Sequence, residues 1–283
     1  MIWLVVVLLL YLAVLALAVR VSLYPVRSPI FLSPGALGVP QEEVEFASID
    51  GTPLRGWWVR HDDPTGIAIL VHGYLMNRAE LTPLAARLHA KGWASLIIDL
   101  RAHGKSGGKK SSLGVQERFD VEAAARLARE TYPGAKIVLI GSSMGSAASA
   151  FALAEQPGIA DGIILDSGFS RLPDAVLGWW YFVGGKPLRA LLWPTVPLAG
   201  PFVGFNPYKV DVGKALAKAE KPVLLIHGDA DTNPAQAKRN LEMAGDRGEI
   251  VWFERCGHSE ARWLHPERYY AAVEDFLERL AKA

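Results

Sequence analysis

Lys136-Ile137-Val138-Leu139-Ile140-Gly141-Ser142-Ser143-Met144-Gly145-Ser146-Ala147-Ala148-Ser149-Ala150-Phe151 is the stretch from which the rest of the chain is read. The apolar, β-branched run predicts a buried strand, and the small residues after Gly145 predict a helix. Gly-x-Ser-x-Gly lies between them, in the strand–turn–helix setting of a nucleophile elbow. A turn from strand straight into helix strains the backbone at Ser143 and leaves no room for side chains on either side. Gly141 and Gly145 remove those collisions. The Ser143 hydroxyl then projects from the carboxyl end of a sheet with a helix N-terminus behind it. A glycine-flanked turn whose serine only caps the helix is the plainer alternative.

Outward from this stretch, strands and helices alternate. Residues 44–48 and 54–59, joined by Asp50-Gly51, predict a hairpin. Strands are predicted at 66–71, 94–99, 162–166, 222–227 and 249–253, and helices at 77–91, 115–131 and 266–282. Pro266 opens the last helix, where its missing N–H costs nothing. Continuous apolar strands alternating with helices predict an α/β fold, a mostly parallel, doubly wound sheet covered on both faces. One segment breaks the alternation: about 168–212, with Trp179-Trp180-Tyr181-Phe182, Trp193, Phe202 and Phe205. It is too long and apolar for a solvated loop. It is expected to form a helical cap over the site, with Trp179 and Trp180 walling an apolar substrate pocket. A stabilising insertion with its own aromatic core, or an aromatic surface resting on a bilayer, are the other readings.

The N-terminus is of a different kind. Residues 2–19 carry no charge and show no polar face; as a helix they extend about 27 Å, against about 30 Å for a bilayer's hydrocarbon core. The expectation is a single-pass membrane anchor and flank over 1–27, a linker rich in Pro, Gly and Ser over 28–40, and the main domain over 41–283. Ala16-Leu17-Ala18 resembles a signal-cleavage site, but no Lys or Arg precedes the apolar run. A buried helix is the third reading. Arg20 and Arg27 on the C-terminal side favour a cytoplasmic main domain. With 30 basic and 29 acidic residues spread evenly over 283, no nucleic-acid partner is expected, and the single Cys256 excludes an intrachain disulfide and multi-cysteine metal sites.

A serine hydroxyl needs a neutral imidazole to take its proton, and the imidazole needs an acid to fix its tautomer. In sheets of this kind the order is Ser, acid, His, at the ends of successive strands. The strand at 222–227 is followed by Asp229 and Asp231, and the last strand by Gly257-His258. Asp231 is the expected acid, with Asp229 and Asp166 as rivals, and His258 the expected base. His72 and His227, at strand ends beside glycines, read as turn-stabilising. The backbone N–H of Met144, directly after Ser143, is an expected oxyanion donor. Gly104-Lys105-Ser106 resembles the end of a phosphate-binding loop, but Asp99 stands where that motif needs glycine. Lys109 and Lys110 read as solvated charges, and Cys256 as a packing residue.

From about residue 44 onward the chain resembles an α/β-hydrolase-fold serine hydrolase. The resemblance rests on His72-Gly73, Asp99-x-Arg101-x-His103-Gly104-x-Ser106, residues 141–145, His227-Gly228-x-x-Asp231 and Gly257-His258. The N-terminal apolar segment makes it similar to the membrane-anchored Bem46 and ABHD-type group. The resemblance implies the N–H of Tyr74 as the second oxyanion donor, with the Tyr74 ring a candidate pocket wall. One departure is that Asn233-Pro234 follows Asp231 one residue sooner than the usual Val-Pro. The expected function is cleavage of a carboxylic ester or thioester of an apolar or lipid-like substrate through an acyl-enzyme, with no cofactor or metal. A peptidase or amidase with the same three residues, and a non-catalytic binding domain, are the rival readings. Oligomeric state is left open.

Overall fold

A computed structural model describes residues 2–232 and 234–282. Asn233, half of the pair that departs from the family pattern, lies outside the described residues. Eight strands form one sheet in the order β1-β2-β4-β3-β5-β6-β7-β8. They are β1 Glu42–Ala47, β2 Pro53–Val59, β3 Ile67–Val71, β4 Ala94–Asp99, β5 Ile137–Ser142, β6 Gly162–Asp166, β7 Val223–Gly228 and β8 Gly248–Phe253. β1 and β2 form the expected antiparallel hairpin, turning at Gly51, and β2 runs antiparallel to β4. Every other pairing is parallel. This is the sheet of an α/β-hydrolase fold.

The helices are α1 Ile2–Leu23, α2 Thr82–His89, α3 Arg118–Thr131, α4 Met144–Glu155, α5 Leu172–Leu192, α6 Thr195–Val203, α7 Val212–Ala219, α8 Pro234–Ala244, α9 Ala261–Leu264 and α10 Pro266–Lys282. One apolar layer joins the sheet to α3, α4 and α7 through Val121, Ala124, Ala147, Ala150 and Leu216. The other joins it to α2 and α10 through Leu84, Leu88, Tyr269, Val273, Phe276 and Leu277. The α10 residues recur at helical spacing, one stripe facing the sheet. Alanines on α4 let that helix lie close to β5, which keeps the elbow short.

Two expected helices start differently. The first turn before α2 is a tighter 3-10 turn, Arg78–Leu81, because the Asn77 side chain takes the Ala79 N–H and Asp99 takes the Arg78 N–H. α3 begins at Arg118 rather than 115 because the Glu117 carboxylate is committed to the loop before it. That carboxylate accepts from Ser111 Oγ, Ser112 N and Oγ, and Gly114 N. α8 has no counterpart in the sequence reading; only Ala237, Asn240 and Ala244 are buried on it, too weak a stripe to mark a helix.

The aromatic segment leaves and rejoins the core at one neck. Arg171 and Asp211 form an antiparallel bridge, Leu172 N donates to Val210 O, and Val212 N donates to Ser170 O. Between these points lie α5, broken at Gly184 and Gly185, and α6. Gly178 of α5 lies against Thr232, so this helical segment passes directly over the loop after β7. Lys110 is not a free charge: its ammonium donates to Phe202 O near the end of α6, a cation on helix-terminal carbonyls.

α1 is long and apolar enough to cross a membrane. Most of it is exposed, but Leu15 and Ala18 pack with Trp180 and Leu192, and Val19 and Leu23 pack with Val203.

Candidate active site

Three loops leave the carboxyl edge of the sheet beside one another, after β5, β7 and β8. Register puts Ser142 beside Asp166, and Gly228 beside Phe253. At the first loop Ser143 has φ 48° and ψ −108°, a conformation that costs a non-glycine residue about 1–3 kcal/mol. Packing holds it there. Ser143 N donates to Asp166 O at 2.8 Å, and Ser146 Oγ donates to Gly141 O at 2.7 Å. A Cβ on Gly141 would lie 2.4 Å from the Gly145 backbone, and one on Gly145 would lie 2.2 Å from Val71 O. The two glycines are there for close approach between backbones.

His258 Nε2 lies 2.8 Å from Ser143 Oγ, and His258 Nδ1 lies 2.9 Å from Asp231 Oδ2. An ionised carboxylate only accepts, so Nδ1 carries the hydrogen and Nε2 is left to accept from the serine. Asp231 also takes the Thr232 N–H, and its side chain is 4% exposed. Burial pushes the Asp231 carboxyl up, but hydrogen bonding and charge from His258 outweigh it and hold the group below the usual carboxylate value. Burial disfavours a charged His258, yet the bond to Asp231 and its charge, with Asp166 and Glu80 behind, lift its pKa above the ordinary value. The His258 side chain keeps 45% of its surface exposed, so a substrate can reach it.

The rival acids are occupied elsewhere. Asp229 accepts the Arg255 N–H from the neighbouring loop after β8, and Asp166 accepts from Tyr269 and Ser167. His227 Nε2 is 3.3 Å from Asp231 Oδ2 without hydrogen-bond geometry, and burial lowers its pKa, so it packs as a neutral ring. His72 accepts from Leu100 N at Nε2 and donates from Nδ1 to Gly73 O, tying β3 to β4. Burial pushes the Cys256 thiol up, in keeping with a packing role. Gly104, at φ +47°, leaves the space that the Asp99 carboxylate fills to bind Arg78 N and Lys105 N. The Gly104-Lys105-Ser106 loop thus wraps a carboxylate rather than a phosphate.

Met144 is the first residue of α4, so its N–H has no partner within the helix. Gly73 approaches Ser143 closely, its would-be Cβ 3.5 Å from the Ser143 Cβ, and Tyr74 follows it. Among the described residues, neither N–H is hydrogen-bonded. The Tyr74 ring turns away toward α1, its hydroxyl donating to Val21 O at 2.7 Å. Trp180 packs on α1 and donates to Thr195 Oγ1, while Trp179 is exposed and stacks on Phe182. Neither tryptophan lines the apolar cavity between α1 and α6.

Beneath the elbow lies a network that sequence reading missed. Glu80 accepts from Gly73 N at 2.7 Å, Ser142 Oγ at 2.8 Å and Arg262 at 2.7 Å, and Arg262 also lies 3.7 Å from Asp166. Burial pushes the Glu80 carboxyl up, but Arg262 and the Gly73 N–H hold it below its ordinary value. Among the described residues, no group of three or more His, Cys, Asp or Glu is placed to hold a metal ion.

The chain is 25% identical over 240 residues to a monoacylglycerol lipase of Mycolicibacterium smegmatis, covering 73% of this chain and 82% of the relative. It is 28% identical over 238 residues to YqkD, an uncharacterized protein of Bacillus subtilis, covering 81% and 77%. The solved Pyrococcus furiosus esterase Pf2001 superposes with a TM-score of 0.76 at 25% identity, over 91% of this chain and 98% of that one. Residues 62–210, more than half the chain, match the Hydrolase_4 family, described as serine aminopeptidase, S33. A Ser, an Asp and a His brought together at the sheet's carboxyl edge, on this fold and with these relatives, place the chain in that family: it is a hydrolase of the Hydrolase_4 family.

Proposed function

We propose that the protein is a membrane-anchored serine esterase, of the Bem46 and ABHD type, that cleaves carboxylic ester or thioester bonds of apolar acyl substrates through an acyl-enzyme. The observation that carries this reading is the unbroken relay Ser143–His258–Asp231, with separations of 2.8 and 2.9 Å. Ser143 attacks the acyl carbonyl while His258 Nε2 takes its proton and Asp231 steadies the resulting imidazolium. The N–H groups of Met144 and Tyr74 receive the developing oxyanion, each worth about 3 kcal/mol of transition-state stabilisation. His258 then protonates the leaving alkoxide or thiolate, and water, activated by the same imidazole, releases the acid. The segment of α5 and α6 acts as the cap.

The lining of the nearby cavity argues for an acyl chain. Residues such as Leu113, Leu172, Val176 and Val196 are apolar, and among the described residues no carboxylate lines it to receive the free amine an aminopeptidase must hold. Peptide hydrolysis stays the second reading because the family description names it. The test is turnover of p-nitrophenyl esters from acetate to palmitate, beside aminoacyl p-nitroanilides, with Ser143→Ala in parallel. Ester turnover that vanishes in Ser143→Ala supports the reading. Preference for the anilides moves it to a peptidase, and retained activity in the variant removes Ser143 from the mechanism.

A further inference from the structure

Resting on the esterase reading, we infer that the C-terminal end of α1 is itself a wall of the acyl-chain site. On this view the chain is seated in the seam between α1 and α6 and enters it from the lipid. Four observations support the assignment.

The first is how the end of α1 is fastened. The last carbonyls of a helix have no partner inside it. Here Arg20 O accepts from Tyr24 N, Val21 O and Ser22 O accept from the Tyr74 hydroxyl, and Leu23 O accepts from Ser111 N. Tyr74 follows the Gly73 that abuts Ser143, and Ser111 Oγ contacts Met144 Sδ. The helix end is thus bonded to Tyr74 and Ser111, one adjoining the Gly73 that abuts Ser143 and the other touching Met144. Arg27 extends the attachment, donating to the carbonyls of His103, Gly104 and Gly108.

The second is a cavity at that junction. Val19, Ser22 and Leu23 of α1 form one side, Val196, Ala199 and Val203 of α6 the other, and Ser112 and Leu113 the end toward Met144. Its volume is only about 30 Å³. It is a crevice between packed apolar walls. An acyl chain fits by parting side chains that meet only through apolar contact along this seam.

The third is its preorganised end. Glu117 locks Ser111, Ser112 and Gly114 through four hydrogen bonds, with Leu113 held at positive φ. A buried carboxylate spent on a loop of this kind keeps Leu113 aimed at the crevice.

The fourth is length. The 22 residues of α1 span about 33 Å, but those from Tyr11, whose hydroxyl donates to Leu191 O, to Leu23 lie against the cap. The free part, residues 2–10, is about 14 Å long, under half of the roughly 30 Å hydrocarbon core. A helix of this length crosses only if the part of it packed on the cap enters the membrane too, carrying the cap's exposed face into the interface. The cap's exposed Trp179, Phe182, Trp193 and Phe202 suit that depth. The mouth of the seam then faces lipid rather than water.

The test uses the full chain in lipid nanodiscs and active-site labelling with two fluorophosphonates, one bearing an ethyl and one a dodecyl chain. The readout is the ratio of their labelling rates at Ser143. Val19→Trp on one wall and Ala199→Trp on the other each fill the seam and are expected to lower the dodecyl-to-ethyl ratio tenfold or more. Val19→Ala is expected to move it the other way. Leu10→Trp, on the free part of α1, is expected to leave it unchanged. If both compounds label Ser143 but the ratio is the same in Val19→Trp and Ala199→Trp, the wall assignment is overturned and the esterase reading stands. If neither compound labels Ser143 in the wild-type chain, the esterase reading falls and this inference with it.

Discussion

Glu80 has no expected part in the chemistry, yet its removal should be among the most damaging single changes in this protein. Its carboxylate is the common acceptor for Gly73 N, Ser142 Oγ and the Arg262 guanidinium, and both members of the ion pair are buried. Glu80→Ala leaves Arg262 enclosed with Asp166 at 3.7 Å as its nearest countercharge. Breaking a buried pair on one side costs about 3–5 kcal/mol, a large part of a total stability of about 5–15 kcal/mol. For a chain of this size that corresponds to a Tm fall on the order of 10 °C. The second consequence is catalytic. With no acceptor for Gly73 N, the turn carrying the Tyr74 N–H loses its fixed position relative to Ser143, and kcat should fall about tenfold or more while KM changes little. The double variant Glu80→Ala with Arg262→Met separates the two effects. Removing the stranded charge should recover most of the stability, but kcat should stay low because Gly73 N is still unpaired. Urea unfolding followed by tryptophan fluorescence, with ester turnover on the same samples, reads both. A loss under about 1 kcal/mol in Glu80→Ala, or full recovery of kcat in the double variant, would refute this account of the network.

Three further outcomes are expected. His258 must be neutral to accept the Ser143 proton, and Asp231 raises its pKa. Ester kcat/KM should therefore rise with pH, with a midpoint above about 6.5; in Asp231→Asn the midpoint should fall and kcat drop by on the order of 10⁴, and an unchanged profile removes Asp231 as the partner. Gly145→Ala drives a Cβ to 2.2 Å from Val71 O, a backbone atom in mid-sheet, so a loss of about 3 kcal/mol is expected in denaturant titration, and wild-type stability would show that the elbow has slack. Vesicles of brominated phosphatidylcholine should quench tryptophan emission of the full chain, and Trp179→Phe with Trp193→Phe should remove a measurable part of that quenching. Equal quenching in both proteins places the cap in water.

What could be read along the chain was whatever is encoded by neighbours in sequence. Strand–elbow–helix around Ser143, the hairpin at Gly51 and the parallel strands rest on period, propensity and glycine placement within a dozen residues. The order Ser143, Asp231, His258 was legible because each follows a recognisable strand, and a strand's end already says which edge of the sheet its loop occupies. The helical segment between β6 and α7 was legible as an aromatic surplus in a stretch without sheet-like alternation. The choice between Asp229 and Asp231, two carboxylates two residues apart, turns on contacts with the loop after β8: one accepts from Arg255 N and the other faces His258.

The tertiary structure alone decided what depends on distant side chains meeting. Glu80 and Arg262 lie 182 residues apart and carry no local pattern, so nothing along the chain marks them as a pair. Glu117 reads as an ordinary helix-start acid until four donors converge on it. The N-terminal helix makes the point most sharply. A segment apolar on every side has no periodicity to reveal which face is covered, so composition marks it only as long enough to span a membrane. That its last carbonyls are bonded to Tyr74 and Ser111, and that Val19, Ser22 and Leu23 close a cavity against α6, follows from packing in three dimensions. Sequence determines which elements form and in what order their ends reach the site; side-chain packing between elements far apart in the chain determines what surrounds it.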